Sequence, residues 1–181
     1  MTGGWETHRS WTAYENPWLR LRADDVTRPD GRPGEYGVVQ VRNHAVFVVA
    51  LTEADEVVMV RLHRYPIGRD SLEIPAGGND GEALQAAAAR ELREESGYVA
   101  EEWTELGPMY SLNGLADAPG TAFLARDLTR VEEGEGQREE GIAGVEVVPW
   151  GEVMARVDRG EIDDGETLAA LLRAAVHLGR L

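Results

Sequence analysis

Apolar positions along the chain follow two periods. "WLRLR", Trp18 to Arg22, alternates apolar and polar residues and predicts a strand with one buried face. "RPDGRPGEY", Arg28 to Tyr36, is dense in turn formers and predicts a hairpin connection. "YGVVQVR", "AVFVVAL" and "EVVMVRLHR" then read as three β-rich runs. A long loop follows, with a short strand at Leu72 to Ile74. The period changes at "EALQAAAARELREES", which predicts a helix from about Glu82 to Ser96 with Gly97 as its stop. Further strands are expected near Glu105 to Ser111, Thr121 to Ala125 and in "VEVVPW". Helices are expected over Gly151 to Val157 and Glu166 to His177, the latter amphipathic through Leu168, Leu171, Leu172 and Ala175. This is a mixed α/β (α+β) pattern rather than a regular βαβ series. It divides into a small β element over residues 1–40 and a larger domain over 41–181.

Composition narrows the function classes. Hydrophobic residues make up 43% of the 181, enough for a real core, and no run is long enough to cross a membrane. The start, "MTGGWETHRS", lacks the apolar core of a signal peptide, so a cytoplasmic protein is expected. No cysteine is present, which excludes disulfides, thiolate catalysis and a cysteine zinc site. The formal net charge of −15 argues against nucleic acid and anionic membranes as partners. All 18 basic residues are arginine, so a P-loop or Schiff-base lysine is excluded.

One segment departs from ordinary helix chemistry. With about 100° per helical residue, Glu94 and Glu95 fall within about 60° of Glu91, on the arc that holds Leu84, Ala87 and Ala88. The acids therefore continue the apolar stripe, and two of them stand in the last turn, where the helix dipole disfavours anions. Arg90 reaches Glu94 at i, i+4 and offsets one charge of three. Burying bare carboxylate is costly. A divalent cation, Mg²⁺ or Mn²⁺ by the hardness of its oxygen ligands, would resolve the conflict. Such a cation usually serves phosphate chemistry, and with nearby arginines it would let an acidic protein bind an anionic substrate.

"GGNDGEALQAAAARELREESGY" resembles the signature of the Nudix hydrolases: Gly, five residues, Glu, seven residues, then Arg-Glu-apolar-x-Glu-Glu-x-Gly-apolar. From Glu82 to Tyr98 the match is complete. Ahead of it the glycine stands at Gly77 rather than at position 76, so the loop is one residue short, with the deletion placed inside "GNDG". "LEIPAG", "VVMVRLHRYPIG" and "WLRLRADDVTRPDGRPGEYGVVQV" are similar to segments of the ADP-ribose pyrophosphatase branch. The resemblance spans roughly residues 15 to 175 and implies an α/β/α sandwich around a mixed sheet, with an N-terminal antiparallel β element that favours an isologous homodimer.

The resemblance also implies roles. Glu91 and Glu95 would bind metal, with Glu94 as a ligand or holder of a bound water and the Ala76 carbonyl as a further ligand. Arg90 would orient the glutamates. Arg64 would contact a diphosphate. Trp18 and Tyr36 would stack on a nucleobase, and Asn113 in "SLNGLAD" would face the substrate. Glu140, or its neighbour Glu139, would be the catalytic base. The implied reaction is metal-dependent cleavage of a nucleoside diphosphate linked to another moiety, ADP-ribose or a similar nucleotide sugar first. "SLNG" stands where that branch often carries Ser-Pro-Gly, which leaves other nucleotide sugars and dinucleotides open. A nucleoside triphosphate pyrophosphohydrolase and a non-catalytic sensor module are the alternatives.

Overall fold

The computed structural model describes residues 4–131 and 141–181. Their contacts divide them into two units. The first takes residues up to His44 together with Tyr110–Pro119, and the second takes Ala45–Met109 and Gly120–Leu181.

The first unit is built on an antiparallel meander of β1 (Glu6–Glu15), β2 (Leu19–Thr27) and β3 (Pro33–Val41). The short strand β9 (Ala116–Asp117) adds to β3 in parallel, so the sheet order is β1-β2-β3-β9. Asn16 closes the first hairpin by accepting from the amides of Trp18 and Leu19, both at 2.9 Å. Strand β1 was not expected from the sequence. Its residues are exposed on both faces except for the half-buried Trp11, so it has no alternation to read.

The second unit holds a seven-stranded mixed sheet. Its main order is β11-β5-β4-β10-β8, from β4 (Ala45–Leu51), β5 (Glu56–Arg64), β8 (Tyr98–Tyr110), β10 (Pro119–Arg130) and β11 (Ile142–Pro149). The short strands β6 (Arg69–Glu73) and β7 (Ala76–Gly78) pair with β5 and β4. Strand β4 runs parallel to β10 and antiparallel to β5. Its unbroken apolar run is explained by burial on both faces. Val46, Val48 and Ala50 pack with Ala87, Ala88 and Leu92 of α1 (Leu84–Ser96). Phe47, Val49 and Leu51 share a cluster with Val153 of α2 (Trp150–Asp158) and with Leu171 and Ala174 of α3 (Gly165–His177). The unit is thus a helix–sheet–helix sandwich, as the resemblance implied.

Helix α3 corrects one expectation. Its buried stripe runs through Thr167, Ala170, Leu171, Ala174 and Ala175, and Leu172 lies outside it, 55% exposed. The small alanines let the helix approach the sheet closely and so define its face, where leucines alone had suggested a different one. Strands β8 and β10 are also longer than expected, because their extra residues lie on exposed or half-buried positions that carry no apolar signal. On β8, the Arg173 guanidinium donates to the carbonyls of Leu106 (2.9 Å) and Pro108 (2.6 Å), flanking Gly107 at φ 108°. No helix among the described residues is long and apolar enough to cross a membrane.

Candidate active site

The acidic end of α1 lies in the second unit. Glu91 and Glu95 are each 3% exposed, whereas Glu94 is half-buried. The helix stops at Gly97, whose φ of 74° is left-handed and whose amide returns to the Arg93 carbonyl. Glu91 and Glu95 therefore continue the buried face of Ala87, Ala88 and Leu92, whereas Glu94, expected on the same stripe, lies at its solvent-facing edge.

Arg90 does more than the sequence suggested. Its Nη1 donates to Glu91 Oε1 at 2.9 Å and to Glu94 Oε2 at 3.0 Å. Its Nε donates to Glu82 Oε2 at 3.0 Å, and Nη2 to the Gly78 carbonyl at 2.8 Å. Its partners are thus three carboxylates rather than Glu94 alone, although its single positive charge still balances one acid, and Glu95 is not among them. Burial works against its charge, but its hydrogen bonds to Glu82, Glu94 and Glu91 and the nearby Glu91 charge outweigh that and hold its pKa far above the ordinary arginine value. Glu95 is fixed differently: the Ala76 amide donates to its Oε2 at 2.9 Å.

The loop ahead of the helix explains its glycine. A Cβ on Gly77 would stand 2.1 Å from Glu91 Oε1, so only glycine admits this carboxylate against β7. The Glu82 amide then bonds the Asn79 carbonyl at 2.7 Å across Asp80 (φ 45°) and Gly81 (φ 85°), a two-residue turn of the primed kind. That tight turn absorbs the missing loop residue, and Gly77 keeps its place beside Glu91.

Arg64 ends β5 and pairs with Glu73 of β6 through two hydrogen bonds, Nε to Oε1 at 2.9 Å and Nη2 to Oε2. The hydrogen bond to Glu73 is the largest cause of its raised pKa; burial opposes it, and Asp164 and Glu95 add to it. Asp164 caps α3 by accepting from the Thr167 amide at 2.8 Å, and burial raises its carboxyl above the ordinary range. The Thr167 hydroxyl in turn accepts from the Ile74 amide at 3.3 Å, next to the loop that carries Ala76.

The expected metal donors fit a hard cation in kind. Buried carboxylates gather at a helix end that repels them, Gly77 leaves the space beside Glu91, and all donors are oxygen. Among the described residues no three such groups converge closely enough to hold a cation as they stand, since Glu91 and Glu94 share the Arg90 Nη1.

Tyr36, Asn113 and Trp18 lie in the first unit. The Tyr36 hydroxyl donates to the Gly114 carbonyl at 2.7 Å, and its ring meets Trp5 edge to face at 5.0 Å. Tyr36, Tyr110, Asn113, Gly114 and Asp117 line one pocket of about 330 Å³. Trp18 is not part of it. Leu19 pairs with Val41, whereas Tyr36 pairs with Asp24, five residues along, or about 17 Å of strand. Trp18 is 76% exposed. Glu139 and Glu140 lie outside the described residues. Sequence reasoning missed Glu73, Trp5 and Tyr110, and it named Glu82 as a signature residue without its bond to Arg90. "LEIPAG" contained Glu73, and its acid inside an apolar run was the available signal.

The NUDIX domain family model matches residues 41–171. The chain belongs to the Nudix hydrolase family. A second match, described as a nucleoside diphosphate sugar hydrolase N-terminal domain, covers residues 5–39 of this Nudix chain. An ADP-ribose pyrophosphatase from Mycobacterium tuberculosis is 36% identical over 178 residues, covering 95% of this chain and 83% of the relative. An ADP-ribose pyrophosphatase from Bacillus subtilis is 34% identical over 154 residues, covering 84% and 83%. A solved structure described as an ADP compounds hydrolase has a TM-score of 0.84 over 98% of this chain and 97% of its own; at 19% identity this shows the shared fold.

Proposed function

We propose that this Nudix hydrolase is a metal-dependent pyrophosphohydrolase of nucleoside diphosphate sugars, with ADP-ribose as its first substrate. The observation that carries the reading is the glutamate cluster of α1, with Glu91 and Glu95 buried and Glu94 half-buried, tied by Arg90 to the loop of Gly77. A chain kept only as a binding module has no reason to maintain these costly carboxylates. The 34–36% identical ADP-ribose pyrophosphatases support the substrate class.

In this reading Glu91 and Glu95, with Glu94 and the Ala76 carbonyl, hold Mg²⁺ or Mn²⁺. The cation neutralises diphosphate oxygens and lowers the pKa of a bound water. Arg90 keeps Glu91 and Glu94 aligned, and Arg64 takes a diphosphate oxygen. Glu140 or Glu139 removes the proton from the attacking water. Water adds to one phosphorus, the anhydride P–O bond breaks, and a nucleoside monophosphate and a phosphorylated sugar leave. Tyr36 and Asn113 receive the nucleoside. Trp18 stands six residues from Asp24, the strand partner of Tyr36, or about 20 Å of strand away, so one base stacked on both aromatics needs a second copy of the chain. A cytoplasmic, isologous homodimer is therefore part of the proposal.

The test is hydrolysis of ADP-ribose with and without Mg²⁺ or Mn²⁺, beside ADP-glucose, a dinucleotide and dGTP. Metal-dependent AMP release at a kcat/KM of about 10⁴ M⁻¹s⁻¹ or above supports the reading. Turnover of dGTP alone discards the sugar substrate, and tight binding without turnover discards the enzyme.

A further inference from the structure

Arg64 and Glu73 are not cross-strand neighbours. In the β5–β6 register Arg64 faces Arg69, and Glu73 faces Val60. Four residues of strand separate the two positions, about 13 Å. Leu62 and Ser71 fill the pair between them on the same face. The two hydrogen bonds therefore require both side chains to stretch toward each other along the sheet. Arg64 sits at the end of β5, just before an exposed turn through Tyr65 to Ile67. A free arginine there gains rotamer entropy and hydration by pointing into solvent. Instead its head is drawn back over Leu62.

Among the described residues, both hydrogen bonds of the Glu73 carboxylate go to Arg64. It is 4% exposed, on a face built of Val60 and Leu62, where an apolar residue of similar volume would pack at no desolvation cost. Burying a carboxylate to fix one arginine is costly for stability. The fixed guanidinium lies within electrostatic reach of Glu95 and Asp164. Glu73 also directly precedes Ile74 to Ala76, the loop whose amide binds Glu95. The bidentate fork leaves one guanidinium face committed and presents the remaining N–H groups in one direction.

We infer that Glu73 is a positioning residue: it holds Arg64 drawn back along the sheet so that the guanidinium meets the substrate diphosphate beside Glu95. This rests on the proposed function, in which Arg64 contacts that diphosphate. Glu73 touches no reacting atom and acts through Arg64.

A double-mutant cycle tests it. Glu73→Gln keeps shape and removes the charged fork. Its kcat/KM for the nucleotide sugar is expected to fall about 10–100-fold, the loss that follows a displaced contact, while Tm holds or rises. Arg64→Ala is expected to lose at least as much. In the Arg64→Ala background, Glu73→Gln should then change kcat/KM less than threefold, because the residue it acts through is gone. Glu73→Asp, one methylene shorter, should recover only part of the loss. Additive losses in the double variant, or a Glu73→Gln enzyme with wild-type kcat/KM, overturn the inference. A second readout does not depend on turnover: calorimetric binding of inorganic pyrophosphate with Mg²⁺. Weakening by Glu73→Gln in the wild-type background but not in Arg64→Ala supports the positioning role even where the sugar substrate is misassigned. Wild-type protein that neither binds pyrophosphate nor turns over any substrate overturns both.

Discussion

The two candidate regions are built in opposite ways. The acidic end of α1 in the second unit is assembled from residues close in sequence: Ala76, Gly77, Gly78, Glu82, Arg90, Glu91, Glu94 and Glu95. Glu91 and Glu95 are buried, and the hydrogen bonds that fix the cluster join charged or backbone groups at 2.8 to 3.0 Å. The Tyr36 pocket of the first unit joins residues 78 positions apart and exposes its aromatics. The first arrangement pays desolvation for fixed geometry, which is what transition-state electrostatics needs. The second keeps adaptable, half-solvated surface, which suits recognition of a varied group. Under the proposed function, precision is concentrated where bonds would break, and tolerance where a ligand would be distinguished.

The contrast can be broken first at Glu91. Glu91→Gln should lower kcat by about a thousandfold, near 4 kcal/mol of transition-state stabilisation, with Tm unchanged or raised because a buried charge is gone. Steady-state kinetics beside a thermal melt would show it; an active variant would remove Glu91 from the chemistry. Gly77→Ala is the sharper probe. Its Cβ meets only the far end of Glu91, so the carboxylate moves and the fold need not. We expect about a hundredfold loss of kcat/KM with less than about 1 kcal/mol lost in urea unfolding. A large stability loss with normal activity would mean that Gly77 serves the loop alone.

In the first unit the effects should be smaller and fall on KM. Tyr36→Ala should raise KM about tenfold and leave kcat within a factor of two, since uniform binding is lost. Tyr36→Phe removes only the bond to the Gly114 carbonyl and should cost about 1 kcal/mol of stability or binding. A kcat collapse in either variant would place the pocket in the chemistry.

The smallest effect separates chemistry from scaffolding within the second unit. Glu146 joins Arg156 (2.8 Å) and Arg61 (2.6 and 2.9 Å), and the Arg156 bond, then the Arg61 bond against burial, holds its carboxyl below the ordinary glutamate range. A depressed carboxyl stabilises the fold above the unfolded pKa of about 4.3. That stability is lost as pH falls from there through the lower folded value. Glu146→Gln should flatten the decline of Tm below about pH 4.3 and leave activity at pH 7 nearly unchanged. An unchanged acid limb would show that the network adds nothing.

How much was legible follows the same division. Strands β4 and β5 read to the residue, because runs buried on both faces spell themselves out in valine and leucine. The glutamate face of α1 was readable from helical angles alone. Strand β1 was not, since a strand exposed on both faces has no period. Leu172 misled because hydrophobicity was taken as burial where alanines made the contact. The reach of Arg90 to Glu82, eight residues back, and the diagonal pull of Glu73 on Arg64 depend on loop and register geometry that one sequence does not encode locally.

The Arg173 guanidinium on β8 carries a consequence for solution behaviour. β8 is the outer strand of its sheet, and such strands invite another chain to add itself. Here the Leu106 and Pro108 carbonyls are already taken by Arg173, and Gly107 between them holds a φ of 108°, far from extended strand geometry. An added strand would have to displace Arg173 from both carbonyls before it could pair there, so this one arginine disfavours β-addition along that stretch of β8.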